Sequence, residues 1–161
     1  MDDITLPIKR KAFAYITQNN KLLVFEHPDS PEAGIQVPAG SIEIGESPQD
    51  GALREAQEET GLSQLKIMRF LGEQVRDMSD FGKSEIHHRY FYHLVCDDDT
   101  PETWHHGERF PSDQPDHDGS VIHLFRFYWV DLDDLPQLIA DHDFYIATIQ
   151  HDLLSNEENA Q

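Results

Sequence analysis

The apolar residues of this chain fall into short alternating runs separated by turn residues, with one compact helical pattern near the middle. Lys11 to Gln18 alternates large and small apolar residues, Asn19-Asn20 interrupts, and Lys21 to His27 resumes, which predicts a β-hairpin. Pro28 to Gly34 reads as loop and Ile35 to Pro38 as a short extended piece. Ser47-Pro48 then opens a helical segment that Gly61 closes. Leu65 to Val75 predicts a strand bent at Gly72, and Arg76 to Ser84 a polar connection. Ile86 to Val95 predicts a strand with Ile86, His88, Tyr90, Tyr92 and Leu94 on one face, and His87, Arg89, Phe91, His93 and Val95 on the other. Asp97 to Gly119, with three prolines, predicts one long binding loop with a turn of helix around Pro101 to His106. Val121 to Val130 is strongly β-prone, and a last helix over Leu138 to Leu154 is expected before a polar tail from Ser155. Strands and helices in this mixed order predict an α+β layered domain with a mixed β-sheet.

The central helix carries the candidate chemistry. Ser47 can cap it, Pro48 suits its first position, Asp50 complements the dipole, and Gly61 supplies a stop. At helical spacing Ala52, Leu53, Ala56 and Thr60 fall on one side, while Glu55, Glu58 and Glu59 gather on another. Glutamates so spaced repel one another, and only Arg54 stands near them as a partner. Clustered hard oxygen ligands suit Mg²⁺ or a similar cation, above all where phosphate oxygens complete the shell. From the helix alone, a solvated acidic face explains the pattern equally well.

Length and composition narrow the class. The 161 residues most simply make one domain, residues 1–161, and 38% hydrophobic with 10% aromatic residues argues for a packed core. No apolar run reaches membrane-spanning length, and the first residues lack a basic-then-apolar leader pattern, so a cytoplasmic address is expected. Cys96 is the single cysteine, which excludes an intrachain disulfide. The net charge of −19 opposes binding to long nucleic acids and to anionic membranes. Lys9, Arg10 and Lys11 form the densest basic run and read as solubilising. A small anionic substrate would need cations before it could approach so acidic a protein.

Gly40, five residues, Glu46, seven residues, then Arg54-Glu55-Ala56-Gln57-Glu58-Glu59-Thr60-Gly61-Leu62 resembles the signature box of the Nudix hydrolase family. Ala56 is the one departure, standing where the family usually has a larger aliphatic residue. The resemblance implies an α/β/α sandwich with the box helix against a mixed sheet. It also implies hydrolysis of a nucleoside diphosphate linked to another group X, with Mg²⁺ or Mn²⁺ bound. Carried onto this chain, Glu58 and Glu59 would be the principal metal ligands and the Gly40 carbonyl a further one. Glu55 would be a ligand or the base that deprotonates water, and Arg54 would orient Glu55 or pair with Glu46. A Nudix-fold domain that binds a nucleotide without cleaving it is the alternative.

Outside the box the candidates are weaker. An extra acid could come from Glu102, Glu108, Asp116 or Asp118 of the long loop, or from Glu85, with Glu102 and Glu108 leading. Trp104 is the leading candidate to stack on a nucleobase, whereas Phe13 and Tyr15 suit the core. Arg76 and Arg89 match phosphate geometry, although internal pairing suits an acidic chain. His87-His88 and His105-His106 cannot jointly hold one ion from a strand, because neighbours point to opposite faces. A small nucleotide is the expected partner, and a homodimer stays open. The marks of the ADP-ribose, dinucleoside polyphosphate and NADH subclasses are missing downstream of the box, where Asp77-Met78-Ser79 stands in place of a proline.

Overall fold

A computed structural model describes residues 5–109 and 122–159. Strand β1 (Ile8–Gln18) turns through Asn19 and Asn20 into β2 (Lys21–Glu26), forming the expected hairpin. Both asparagines are left-handed, at φ 51° and 63°, a conformation their short polar side chains tolerate. The short β3 (Ala39–Ser41) pairs with β1 and delivers the chain to helix α1 (Pro48–Thr60). Then come β4 (Leu65–Asp77), β5 (Ile86–Cys96), β6 (Thr103–Arg109), β7 (Ile122–Asp131) and helix α2 (Ile146–Asn159). The strands form one sheet in the order β4-β5-β1-β2-β7-β6, with β3 beside β1. β1 and β5 run parallel and the other strand pairs antiparallel, so the sheet is mixed, as expected.

The alternation of β1 builds both layers of the sandwich. Ala12, Ala14 and Ile16 face one side, where they pack with Leu23, Phe25, Leu94 and Phe127 beneath Ala52 and Ala56 of α1. Phe13 and Tyr15 face the other, with Val24, Phe91 and Leu132 against Ile146 and Ile149 of α2. Small residues on both partners let α1 lie close to the sheet. Ala56 is fully buried at that contact, which accounts for its size. Strand β4 bends as expected, with register shifts between Ile67 and Arg69 and between Phe70 and Gly72. Gly72, at φ 152°, leaves space filled by the Tyr145 ring, whose hydroxyl donates to the Glu73 carbonyl.

Two expectations are corrected. Thr103 to Arg109 is not loop with a helical turn but a strand, in register with β7 from Thr103 opposite Tyr128 to Arg109 opposite Ile122. Its polar composition masked an alternation in which Trp104 and His106 turn toward the core side while Thr103 and His105 are exposed. Pairing with apolar β7 decides the conformation there, since strand preference depends on neighbours. The last helix begins at Ile146 rather than Leu138 and continues to Asn159. Ahead of it, residues 139–145 form turns in which Ala140 and Asp141 are both left-handed, at φ 50° and 60°. The remainder of the expected long loop, with Asp116 and Asp118, lies outside the described residues.

Candidate active site

Helix α1 is fixed at both ends by its own sequence. The Ser47 hydroxyl accepts the Asp50 N–H at 3.1 Å, Pro48 opens the helix, and Gly61, left-handed at φ 77°, returns its N–H to the Gln57 carbonyl at 2.9 Å. Strand β6 holds the last turn. Trp104 Nε1 donates to the Thr60 carbonyl at 3.0 Å, and His106 Nδ1 reaches the Glu59 carbonyl at 2.8 Å. Carbonyls of a last turn have no partner within the helix, so these two bonds satisfy groups that would otherwise need water. A Cβ on Gly61 would stand 2.8 Å from the His106 ring, so this glycine serves both the cap and the close approach.

Arg54 organises the acidic face. Its Nε and one terminal nitrogen grip the Glu46 carboxylate at 2.7 and 2.9 Å, a bidentate pair that also ties the helix to the loop before it. The other terminal nitrogen bridges Glu55 Oε1 at 2.9 Å and Glu58 Oε2 at 3.2 Å. Hydrogen bonding from Arg54 holds the Glu46 carboxyl down at about 2, and the same bond keeps the guanidinium protonated. The backbone of β3 meets this face closely. A Cβ on Gly40 would meet the Glu55 carboxyl group, which would have to move aside to admit it, and Glu59 Oε2 accepts the Ala39 N–H at 3.1 Å. Glu58 is half exposed at 56%, while Glu55 and Glu59 are largely covered.

Beside Gly40, on the α2 side of the sheet, lies a cavity of about 350 Å³. Lys11 of β1, His87 and Arg89 of β5, and Ala140 and His142 of the turn before α2 line it, with Phe13 and Met78 among its apolar walls. Burial, followed by the nearby Lys11 and Arg89, pushes His87 down to about 4. Burial, followed by Arg89, takes His142 to about 3, so both rings are neutral at pH 7. Burial likewise lowers Arg89 to about 10, with Arg76 adding to the effect. Arg89 stacks over Phe13 at 4.8 Å and donates to the Ala140 carbonyl at 2.6 Å.

The description NUDIX domain fits residues 7–151, nine-tenths of the chain. The chain belongs to the Nudix family. The RNA pyrophosphohydrolase of Bartonella clarridgeiae is similar to it, with 26% identity over 121 residues covering 70% of this chain and 65% of that protein. A probable DHNTP pyrophosphohydrolase of Lactococcus lactis is 40% identical over 60 residues, 37% of this chain and 35% of that protein. The Nudix chain thus spans less than two thirds of each of these curated relatives. Among solved structures, the MutT protein of Methanosarcina mazei superposes with a TM-score of 0.64 at 15% identity, covering 93% of this chain and 98% of that one, a likeness of fold.

The Nudix box residues predicted from sequence come together: Gly40, Arg54, Glu55, Glu58 and Glu59 share one corner of α1 and β3. Of the residues suggested outside the box, Trp104, Glu102, Arg76 and Glu85 are engaged elsewhere. Trp104 is stacked on Phe127 at 5.5 Å with its N–H on Thr60, and Glu102 stands at an open depression lined by Tyr128 and Trp129. Neither lines the cavity beside Gly40. Arg76 pairs with Asp80 and Asp141, at 2.9 and 3.0 Å, and Glu85 pairs with Lys9. Glu108 lies on β6. As expected from their adjacency, His87 and His88 diverge, His87 into the cavity and His88 onto Glu73 at 2.7 Å. The reading of Lys11 as solubilising and of Phe13 as core alone missed the cavity. The signal was present as a face of β5 on which His87 and Arg89 precede Phe91, opposite Lys9, Lys11 and Phe13 of β1.

Proposed function

We propose that this chain is a pyrophosphohydrolase that, with Mg²⁺ or Mn²⁺ bound, cleaves the diphosphate linkage of a nucleoside diphosphate joined to another group. The observation that carries the reading is the corner at Gly40, where Glu55 fills the space that a side chain at residue 40 would take, on the same helix face as Glu58 and Glu59. The names of both similar proteins, pyrophosphohydrolases, support the reaction class.

Glu55, Glu58, Glu59 and the Gly40 carbonyl would hold the cation, and all are hard oxygen donors of the kind it takes. Among the described residues no three acidic, histidine or cysteine side chains already converge on one point. Carboxylate and carbonyl oxygens of this kind suit an ion that shares its shell with substrate oxygens and water. When bound, such an ion neutralises diphosphate charge and acidifies water. The remaining work falls to the chain. Arg54 aims the Glu55 and Glu58 carboxylates, and Glu59 holds the Ala39 N–H and hence the Gly40 loop. Glu55 takes the proton of the attacking water as its oxygen bonds to phosphorus, and the bridging P–O bond breaks with its electron pair leaving on the departing phosphate.

Release of nucleoside monophosphate from a panel of nucleotides, measured with added Mg²⁺ or Mn²⁺ and again after chelation, tests this reading. Release that requires the metal is expected. Saturable nucleotide binding with no release under any metal would contradict it and favour a silent binding domain.

A further inference from the structure

Glu59 is gripped at two points. Its Oε2 accepts the Ala39 N–H at 3.1 Å, and its backbone carbonyl is met by His106 Nδ1 at 2.8 Å. A carbonyl oxygen only accepts, so Nδ1 carries the proton of that bond. The second grip matters because of where Glu59 stands. Helix α1 ends at Thr60, which places Glu58 and Glu59 in its last turn. Carbonyls there have no partner within the helix, and last turns fray or tighten into 3₁₀ geometry. Successive residues are rotated by about 100°, so a residue that leaves α geometry swings its side chain off the face it shared. Glu58 and Glu59 on a frayed turn would lose their alignment with Glu55. Glu59 would also carry the Ala39 N–H, and with it the Gly40 loop, out of place.

Strand β6 supplies the restraint from outside the helix. Trp104 and His106 stand two residues apart on one face, opposite Phe127 and Phe125 of β7, both buried. From that base they reach successive carbonyls, Trp104 Nε1 that of Thr60 at 3.0 Å and His106 Nδ1 that of Glu59. The two contacts differ in what they hold. Trp104 is stacked on Phe127, and its bond ends on Thr60, a buried residue whose hydroxyl turns back to the Ala56 carbonyl. The bond from His106 ends on Glu59 itself. Its ring lies so close to Gly61 that a Cβ there would stand 2.8 Å from Cδ2 and 2.9 Å from Nε2. The bare backbone at Gly61 is what lets the ring reach the carbonyl two residues earlier.

We propose that His106 is a positioning residue for the cation site. It fixes the last turn of α1 through the Glu59 carbonyl, and thereby sets the Glu59 carboxylate and, through Ala39, the Gly40 loop. The assignment rests on the reading of Glu55, Glu58, Glu59 and the Gly40 carbonyl as the cation's donors. Trp104, on the same strand face, packs the turn without setting the site.

Titrating Mn²⁺ alone into the protein, with the free ion followed by electron paramagnetic resonance, measures the site without turnover. His106→Phe keeps a ring and loses the N–H. His106→Asn keeps an N–H the same number of bonds from the backbone, and Trp104→Phe loses the neighbouring bond on the same turn. Mn²⁺ affinity is expected to fall about tenfold in His106→Phe, as when a group that holds a metal ligand in place is removed. His106→Asn and Trp104→Phe should bind Mn²⁺ as the wild type does. His106→Ala, which asks for no space, carries the test if His106→Phe does not fold. Equal losses in His106→Phe and Trp104→Phe would reveal a general loosening of the turn and overturn the proposal. So would wild-type affinity in His106→Phe, a loss in His106→Asn as large as in His106→Phe, or a wild type that binds no Mn²⁺. Mn²⁺ affinity lost in His106→Phe alone, in a protein that cleaves no nucleotide, keeps the positioning role and sinks the hydrolysis reading instead.

Discussion

Two regions of opposite charge meet at Gly40. On one side, α1 presents Glu55, Glu58 and Glu59 from a single helical turn and a half, held by Arg54. On the other, Lys11, His87 and Arg89 line a cavity with one acid among its lining residues, in a chain of net charge −19. The acidic face is a local construction, set by residues within one helix and the loop that feeds it. The basic cavity is non-local, assembled by the parallel pairing of β1 with β5 and by the turn before α2. The contrast teaches what each side brings. On the proposed reading the acids would take a cation before an anionic substrate approaches, whereas the cavity already carries its positive charge in Lys11 and Arg89.

The comparison can be broken most severely at the junction. Gly40→Ala would push a methyl group into the Glu55 carboxylate and should lower the rate of nucleoside monophosphate release by on the order of 100-fold, as a misplacement of about 1 Å can, with the folded spectrum retained. Arg54→Gln removes the bridge between Glu55 and Glu58 and should cost about 10- to 100-fold in activity, as loss of a supporting partner at a metal site does. It also has a pH signature. Arg54 lowers Glu46 from the ordinary 4.5 to about 2, so the ionised carboxylate favours the folded state above pH 4.5, and that stabilisation is lost as pH falls through 4.5 to 2. The melting-temperature advantage of the wild type over Arg54→Gln should shrink across that window.

On the cavity side the expected effects are smaller. His142→Ala strands the buried Val37 N–H and should cost about 1–3 kcal/mol of stability in a denaturant titration. His142 is held from the ordinary 6.5 down to about 3, so its neutral form favours folding above pH 6.5, and that contribution falls as pH drops from 6.5 toward 3. His142→Gln should flatten the melting-temperature slope over that range. Smallest is Trp104→Phe, which keeps the stack on Phe127 but loses the bond to Thr60. It should cost about 1 kcal/mol and leave the rate of hydrolysis near that of the wild type.

The same contrast explains what could be read from the sequence. The hairpin, the strands β4, β5 and β7, and the α1 corner rest on short-range periodicity and capping, and the structure has them where the residues suggest. Strand β6 was hidden because Thr103 to Arg109 is polar by composition, and only its neighbour β7 makes it a strand. The start of α2 was hidden because Arg89, fifty-one residues away, holds Ala140 in a left-handed turn. Lys11 and His87 carried no local mark of joining one cavity, since their meeting depends on which strands lie side by side. Trp104 looked exposed in a polar stretch, yet it clamps the helix that carries Glu58 and Glu59.

The central claim is that the α1 face holds the cation that activates hydrolysis, and Glu58→Gln tests it most directly. Glu58 is half exposed, so the substitution should fold with an unchanged melting temperature. The account predicts that Mg²⁺-dependent release of nucleoside monophosphate falls to background in the folded variant. Release at the wild-type rate from the folded variant would contradict it.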